Sequence, residues 1–597
     1  MTNGVVNGII IHNQSTHFFG GDYYVYPTGQ LDLIFSVGMN LIQLLLLFWG
    51  WMMEKLRKKM RRGCFREVVI YFLICCMVLN TSLPAVLAEV VLQSQINGTI
   101  DVSPLGGGIT QDMIVSDGAI GHFSDFDIAA GHIVNCVQNG ADSNALFRVF
   151  SSDGTQILGQ FNANGNVFLI DPAGILFGVD SQVNVNKLVA STLDIDDEVF
   201  LAGNYEFIAG ADIGEVVNYG EINAVEGAAL IGSRVLNYGT IATDSGGFVV
   251  MAAGNRVLLG EPGSKIVVEM DSVTLTDPEG FGDVVNEGEI IAPGGMVVLA
   301  AGDIFSVPLH PQLRVNSGTV EAPVYDVADQ PVRVESGIGT VTQSGTINAD
   351  GGSVVLTAGN TTADDDDNTT LEDDIPDVIL STGSITQAVG GEVIAYAHDF
   401  GTKGTTTGAI TSFEDGAVIN VGTGTAEISG NHVLFAGSVN ALPGGTIQVD
   451  PVTLTIADTM PVTGPELDTL YEEEHVEFYS KAGVNLDLAA DKLITVEYMT
   501  NSGAVGEITG GSGDIYLRNV FADGGIYFEQ RDEAGHTGPR SSIRTEAYYQ
   551  SAAVYRDGGS IYMDAGSGGI VAGDLKTGRS EERRVGKECR SRWSPYH

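Results

Sequence analysis

Between residues 89 and 578 the chain carries one cysteine, Cys136. No disulfide can form inside that stretch, so its stability has to come from packing. Cys136, beside Val134 and Val137, reads as a small buried hydrophobe. The stretch is also short of positive charge, with 16 Lys and Arg against 68 Asp and Glu. Such a surface repels phosphate backbones and anionic membranes, which excludes nucleic acid as a partner. The ten histidines are scattered and form no His-x-x-x-His pair, so zinc lacks its usual ligand spacing. There is no Gly-x-Ser-x-Gly elbow, no helical period of any length and no nonapeptide calcium repeat. No cofactor or metal is expected.

What the chain does have is glycine, 78 residues of it, punctuating short runs of Val, Ile and Leu. One unit recurs. Val217-Asn218-Tyr219-Gly220-Glu221-Ile222 returns as Leu236-Asn237-Tyr238-Gly239-Thr240-Ile241, as Val285-Asn286-Glu287-Gly288-Glu289-Ile290, and as Gln343-Ser344-Gly345-Thr346-Ile347. A second element follows the last three, in which Gly246-Gly247, Gly294-Gly295 and Gly351-Gly352 each open an apolar run. A strand, a glycine corner and a second strand cannot bury their own apolar face, whereas stacked copies can. The period near nineteen, stretched where coils carry inserts, predicts an all-β, right-handed parallel β-helix. Asn at one corner of successive coils would stack into amide ladders. At about 20 residues per coil and about 4.8 Å between strands, residues 89–578 would make a rod on the order of 115 Å long. A β-sandwich is the other all-β option, but sandwiches do not repeat their corners in sequence.

The chain is organised around residues 165–178. Two apolar runs, Val167 to Ile170 and Ile175 to Phe177, flank Asp171-Pro172-Ala173-Gly174, with Gly178 closing the second run. The tetrad suits a type I turn, with Asp accepting amide hydrogens, Pro presetting φ and Gly at the fourth position. The runs are apolar throughout, as strands covered on both faces tend to be. Around them stand Asp125-Phe126-Asp127, Leu146-Phe147-Arg148-Val149 and Ala190-Ser191-Thr192-Leu193-Asp194-Ile195. In this order and spacing the set resembles the N-terminal secretion (haemagglutination-activity) domain of filamentous-haemagglutinin-type exoproteins, the exported partners of two-partner secretion systems. The resemblance covers roughly residues 95–340. The family's Asn-Pro-Asn-Gly-Ile stands here as Asp171-Pro172-Ala173-Gly174-Ile175, and no Asn-Pro-Asn-Leu element precedes it.

The resemblance implies Sec passage across an inner membrane, then export through an outer-membrane β-barrel transporter whose periplasmic domains bind this region. It assigns transporter recognition, or the local structure behind it, to Asp125, Phe126, Arg148, Asp171, Pro172, Ala173, Gly174, Ile175, Phe177, Gly178, Ser191 and Thr192. The exported product would be a secreted or surface-attached, adhesin-like protein meeting host or surface glycans or proteins. The competing class is a β-helical carbohydrate-active enzyme, since Asp125 and Asp127 have the alternating spacing that could pair two carboxylates on a strand face. No catalytic residue is assigned. If the Gly174 corner nucleates the rod during export, Gly174→Val should lower secreted yield more than Gly352→Val in a later coil.

The flanks divide as follows. Residues 53–88 read as a signal peptide: a basic start, an apolar run and Pro84-Ala85-Val86-Leu87-Ala88 before the cleavage point. Residues 1–52 are an over-extended start or, through the apolar stretch 33–53, a membrane anchor. Residues 89–340 form the secretion domain and 341–578 continue the coils, with an irregular segment near 451–480. The acidic run within 361–377 reads as a projecting solvated loop. Residues 579–597, basic and glycine-poor, look like translated sequencing-adapter DNA and are set apart from the fold.

Overall fold

The computed structural model describes residues 10–12, 15–17, 90–210, 214–259, 265–269, 282–302, 304–308, 339–360, 377–399, 408–458, 460–461, 464–497, 507–510, 512–519, 525–528 and six short strands between 542 and 577. The leader, the apolar stretch 33–53, the acidic run 361–376 and the tail 579–597 lie outside the described residues. Two units separate, Met1–Leu87 and Ala88–His597. In the first, Ile10–His12 and Ser15–His17 pair antiparallel. No helix among the described residues is long and apolar enough to cross a membrane.

The second unit is a parallel β-helix, as the repeats predict. Each coil gives one strand to each of three parallel faces. The first face runs through Ile133–Gln138 and Gln160–Ala163, and the second through Asn144–Val149 and Asn166–Ile170. The third stacks Thr155–Ile157, Ile175–Phe177, Val216–Asn218, Val235–Asn237 and Val284–Asn286. The 49- and 57-residue spacings fall in register, Asn237 over Asn286 and Asn286 over Gln343. At the N-terminal end the pairing turns antiparallel, Val91–Asn97 on Ala119–Asp125 and Ile100–Val102 on Thr110–Val115. That closes an edge which would otherwise offer free backbone groups to another chain.

The rod is shorter than the repeat period suggests. Fourteen strands, from Ala119–Asp125 to Ile561–Asp564, line the second face among the described residues. At about 4.8 Å per step they span on the order of 60 Å rather than 115 Å. The difference is chain that leaves the coils. After the second-face strands at Ser191, Ala253 and Gly302, segments pass outside and form a four-stranded antiparallel sheet: Tyr205–Ile208, Arg256–Leu259, Lys265–Glu269 and Ile304–Pro308.

A second core lies beneath this outer sheet. Phe168, Val189, Ala229, Val250 and Val298 project from the second face and meet Phe200, Phe207, Val257 and Leu259. Every residue of Asn166–Ile170 is therefore buried, the pattern expected of a strand covered on both sides. The inner core is continuous, from Val90 to Phe528. Near residue 457 the coil geometry breaks. Thr469–Tyr471 leads into a π-helical turn at Glu472–Glu477 and a short helix at Phe478–Lys481, and coils resume at Asn485–Ala490.

Side-chain amides join the coils as the sequence predicts. Asn218, Asn237, Asn286 and Gln343 form a fully buried chain of hydrogen bonds of 2.8, 2.7 and 2.7 Å. A second, solvent-facing ladder links Asp112, Asn135, Asn162, Asn184 and Asn223.

Candidate functional site

The Asp171 corner joins the second face to the third. Gly174 N donates to Asp171 O across 3.1 Å, closing the turn, and Ala173 N donates to Asp171 Oδ1 at 3.0 Å. Asp171 is fully buried. Its Oδ2 accepts from Thr155 Oγ1 at 2.7 Å and Ser151 Oγ at 3.0 Å, one coil earlier. Burial pushes this carboxyl above its ordinary range, while the three hydrogen bonds favour the ionised form and pull it back. The turn is thus a node holding two coils together. Pro172 and Ala173 face outward, whereas Ile175 and Phe177 enter the inner core.

Gly174 sits at φ +126°, outside what L side chains readily adopt, although a Cβ there would meet nothing closer than Glu215 O at 3.4 Å. Its requirement is conformational. Gly352 is the reverse case, since a Cβ there would lie 1.8 Å from Gly295 O. The choice of Gly352→Val as the milder partner of Gly174→Val is therefore overturned, because close coil packing makes Gly352 the less tolerant position. Gly178 packs under Leu158, with a Cβ placed 2.7 Å from Leu158 Cδ2, and its N–H donates to Ile157 O.

The other motif residues divide into caps and a clamp. Asp125 Oδ1 accepts from Asp127 N at 2.8 Å, and Asp127 Oδ1 from Gln156 N at 2.7 Å. The pair whose spacing suits a sugar-cleaving groove instead caps backbone amides. Burial, with the charges of Asp125, Asp153 and Asp171, pushes Asp127 up to about 6 against its hydrogen bond from Gln156. Phe126 is fully buried, stacked on Phe147 at 5.6 Å and edge-on to Phe123 and Phe161. Ser191 Oγ bridges the N–H and C=O of Leu193, and Thr192 Oγ1 donates to Gly214 O.

Arg148 is the clamp. It projects from the outer side of the second face, buried, and holds Asp194 Oδ1 at 2.7 Å together with Asp197 Oδ1 and Ile195 O. These partners belong to the first segment that leaves the coils. There Asp196 caps the Asp197–Leu201 helix, and Phe200 and Tyr205 pack on Phe168. Sequence reasoning placed Arg148 in the motif but missed its partners and the outer core. The signal was present in the acidic run Asp194–Glu198 and the alternating Tyr205-Glu206-Phe207-Ile208. Replacing Arg148 by Met keeps the stem and removes the charge. It is expected to cost about 2 kcal/mol, below the usual figure for a broken buried pair because the aspartates stay half-exposed and solvated. Urea unfolding of the purified chain reads that cost, and exchange at Tyr205–Ile208 should rise first.

Among the described residues no three His, Cys, Asp or Glu side chains are placed to hold a metal ion. Cys136 is buried, and burial pushes its thiol up to about 12.

Compared with known proteins, residues 88–323 match the TPS secretion domain. This stretch is a TPS secretion domain. It contains the Asp171 corner, the Arg148 clamp and all four strands of the outer sheet. The Heme/hemopexin-binding protein of Haemophilus influenzae is 31% identical over 217 residues, covering 35% of this chain and 23% of that protein. A second Haemophilus influenzae protein of that name is 32% identical over 92 residues, 15% of this chain and 10% of its own. The chain thus spans about a quarter or less of these curated relatives. Among solved structures, the crystal structure of the HMW1 secretion domain from Haemophilus influenzae aligns with 81% of this chain and 100% of its own, at TM-score 0.37 and 20% identity. That of the filamentous hemagglutinin secretion domain aligns with 60% and 95%, at TM-score 0.20 and 12% identity.

Proposed function

We propose that the chain is a secreted exoprotein whose secretion domain directs export through a cognate outer-membrane β-barrel transporter, after Sec passage of the inner membrane. The observation that carries this reading is the coincidence of the 88–323 match with the capped, clamped end of the rod. The rest of the rod, acidic and free of disulfides, is an adhesin-like spacer presented at the cell surface or released, with glycans or proteins of a host or neighbouring surface as its targets. Transporter recognition falls to the outer part of the corner, the exposed Ala173 and the half-buried Pro172, held in place by Asp171, Gly174 and Arg148. The names of the curated relatives lend this chain no heme role, because the overlap reaches less than a quarter of their length. The carbohydrate-enzyme reading gains nothing from Asp125 and Asp127, which serve as caps.

Export tests it through two glycines with matched backbone demands. Gly174 (φ +126°) and Gly383 (φ +88°) both have room for a Cβ, so valine at either is expected to cost about 1–3 kcal/mol of backbone strain. Gly383 lies beyond the secretion domain. In cells carrying the cognate transporter, Gly174→Val should reduce protein in the medium and Gly383→Val should not. Equal yields would remove the corner from export.

A further inference from the structure

The outer side of the second face changes character along the rod. Val250, Val298, Val355 and Ile394 stack in one row, and the positions that follow are Glu427, Gln448 and Asp487. In the adjacent row Tyr396, Ser429 and Asp450 stack in the same way. Carboxylates therefore come together on consecutive coils, held by the ladder at a spacing of about 4.8 Å per coil.

Counter-charge is scarce there. Arg518 binds Asp487 with both arms, Nε to Oδ1 at 2.6 Å and Nη2 to Oδ2 at 2.5 Å. Glu427 Oε1 accepts one hydrogen bond, from Ser429 Oγ at 3.1 Å. Asp450 Oδ1 is a buried oxygen with no hydrogen-bond partner. Among the described residues, the charged and titratable groups facing Glu427 and Asp450 are Glu392, Asp487, Asp491, the Tyr396 phenol and Arg518. A buried carboxylate oxygen with neither a donor nor a cation of its own is costly when ionised and is relieved by a proton.

We propose that Glu427 and Asp450 form a proton-operated latch in the distal coils: protonated, they let coils 392–490 close tightly, and ionised, they push those coils apart. The latch lies outside the secretion domain, so it stands or falls apart from the export reading. Burial first, then the neighbouring carboxylates, pushes Glu427 up to about 7 and Asp450 up to about 8. In the unfolded chain both titrate near about 4. A folded-state value raised in this way stabilises fully below about pH 4, and the stabilisation is lost as pH climbs through the folded values near 7 and 8. The distal rod is thus stiffer in acid surroundings and looser at neutral to alkaline pH.

Hydrogen exchange of the full-length chain tests this, with rates corrected for the intrinsic effect of pH. Protection at Thr425–Gly430 and Thr446–Asp450 should fall about tenfold or more between about pH 5.5 and about pH 8.5. The double variant Glu427→Gln, Asp450→Asn mimics the protonated pair and should keep its protection at both. A charge-matched double variant at exposed positions, Glu221→Gln and Glu289→Gln, should behave like wild type. Equal wild-type protection at the two pH values would overturn the latch. So would an undiminished loss in the Glu427→Gln, Asp450→Asn variant, which would point to the chain's general negative charge.

Discussion

Alanine at Gly352 is expected to prevent the rod from closing at that coil. The native backbone brings Gly295 O to 1.8 Å from where the new Cβ would stand, with Gly295 C and N at 2.8 Å. Neither side can yield cheaply. Gly295 O already accepts from Ser353 N at 2.9 Å, and Gly352 N donates to Ala349 O at 2.7 Å. Moving the coils apart by more than an ångström breaks the ladder between Met296–Gly302 and Ser353–Asn360, seven registered residues long. Gly295 over Gly247, and Gly391 over Gly352, are just as close, at 1.9 and 1.8 Å, so the strain cannot be passed to a neighbouring coil. A loss on the order of 4 kcal/mol or more follows, in the range reserved for severe backbone or core disruption. Gly246→Ala is the comparison, because Gly246 is at φ +86° with open space around it and should cost about 1 kcal/mol of backbone strain. Urea unfolding of both variants decides. If Gly352→Ala is no less stable than Gly246→Ala, the glycine columns are turn formers and not spacers between coils.

Those columns were legible in the sequence because they obey a one-dimensional rule. When each coil touches only the next, the residue at a corner must suit its own image, so Asn meets Asn and Gly meets Gly in the same local motif, whatever the length of the inserts between. The Asp171 turn and the two-sided burial of Val167–Ile170 were legible separately, from turn-forming residues and an unbroken apolar run. What escaped was everything that leaves the coil. The outer sheet pairs Tyr205–Ile208 with Arg256–Leu259, some fifty residues on, and that pairing depends on where the excursions land, not on any period. The clamp partners of Arg148 at Asp194 and Asp197 escaped for the same reason, and the rod's length was overestimated because excursions were counted as coils. The distal carboxylates were invisible in a different way. In a chain with 75 Asp and Glu, only the fold singles out Glu427 and Asp450, stacked among carboxylates while Arg518 is committed to Asp487.

The buried amide chain should respond more sharply than its exposed counterpart, and Asn237 is where to show it. Its Oδ1 accepts from Asn218 Nδ2 at 2.8 Å, and its Nδ2 donates to Asn286 Oδ1 at 2.7 Å. The chain runs one way and is closed at both ends by backbone: Asn218 Oδ1 accepts from Gly220 N, and Gln343 Nε2 donates to Gly345 O. Leucine at 237 has nearly the right volume but strands a donor on Asn218 and an acceptor on Asn286, both fully buried. Each stranded group costs about 1–3 kcal/mol, so the substitution should destabilise by about 4 kcal/mol. Asn184→Leu, in the solvent-facing ladder, leaves Asn162 and Asn223 free to turn to water and should cost about 1 kcal/mol or less. A second leucine, at 286, separates unsatisfied polarity from lost packing. The bond between 237 and 286 can be lost only once, so the double variant should fall short of the sum of the singles by about 1 kcal/mol or more. Strict additivity, or equal costs at 184 and 237, would mean that the amides are held by the coil around them and contribute no coupling of their own.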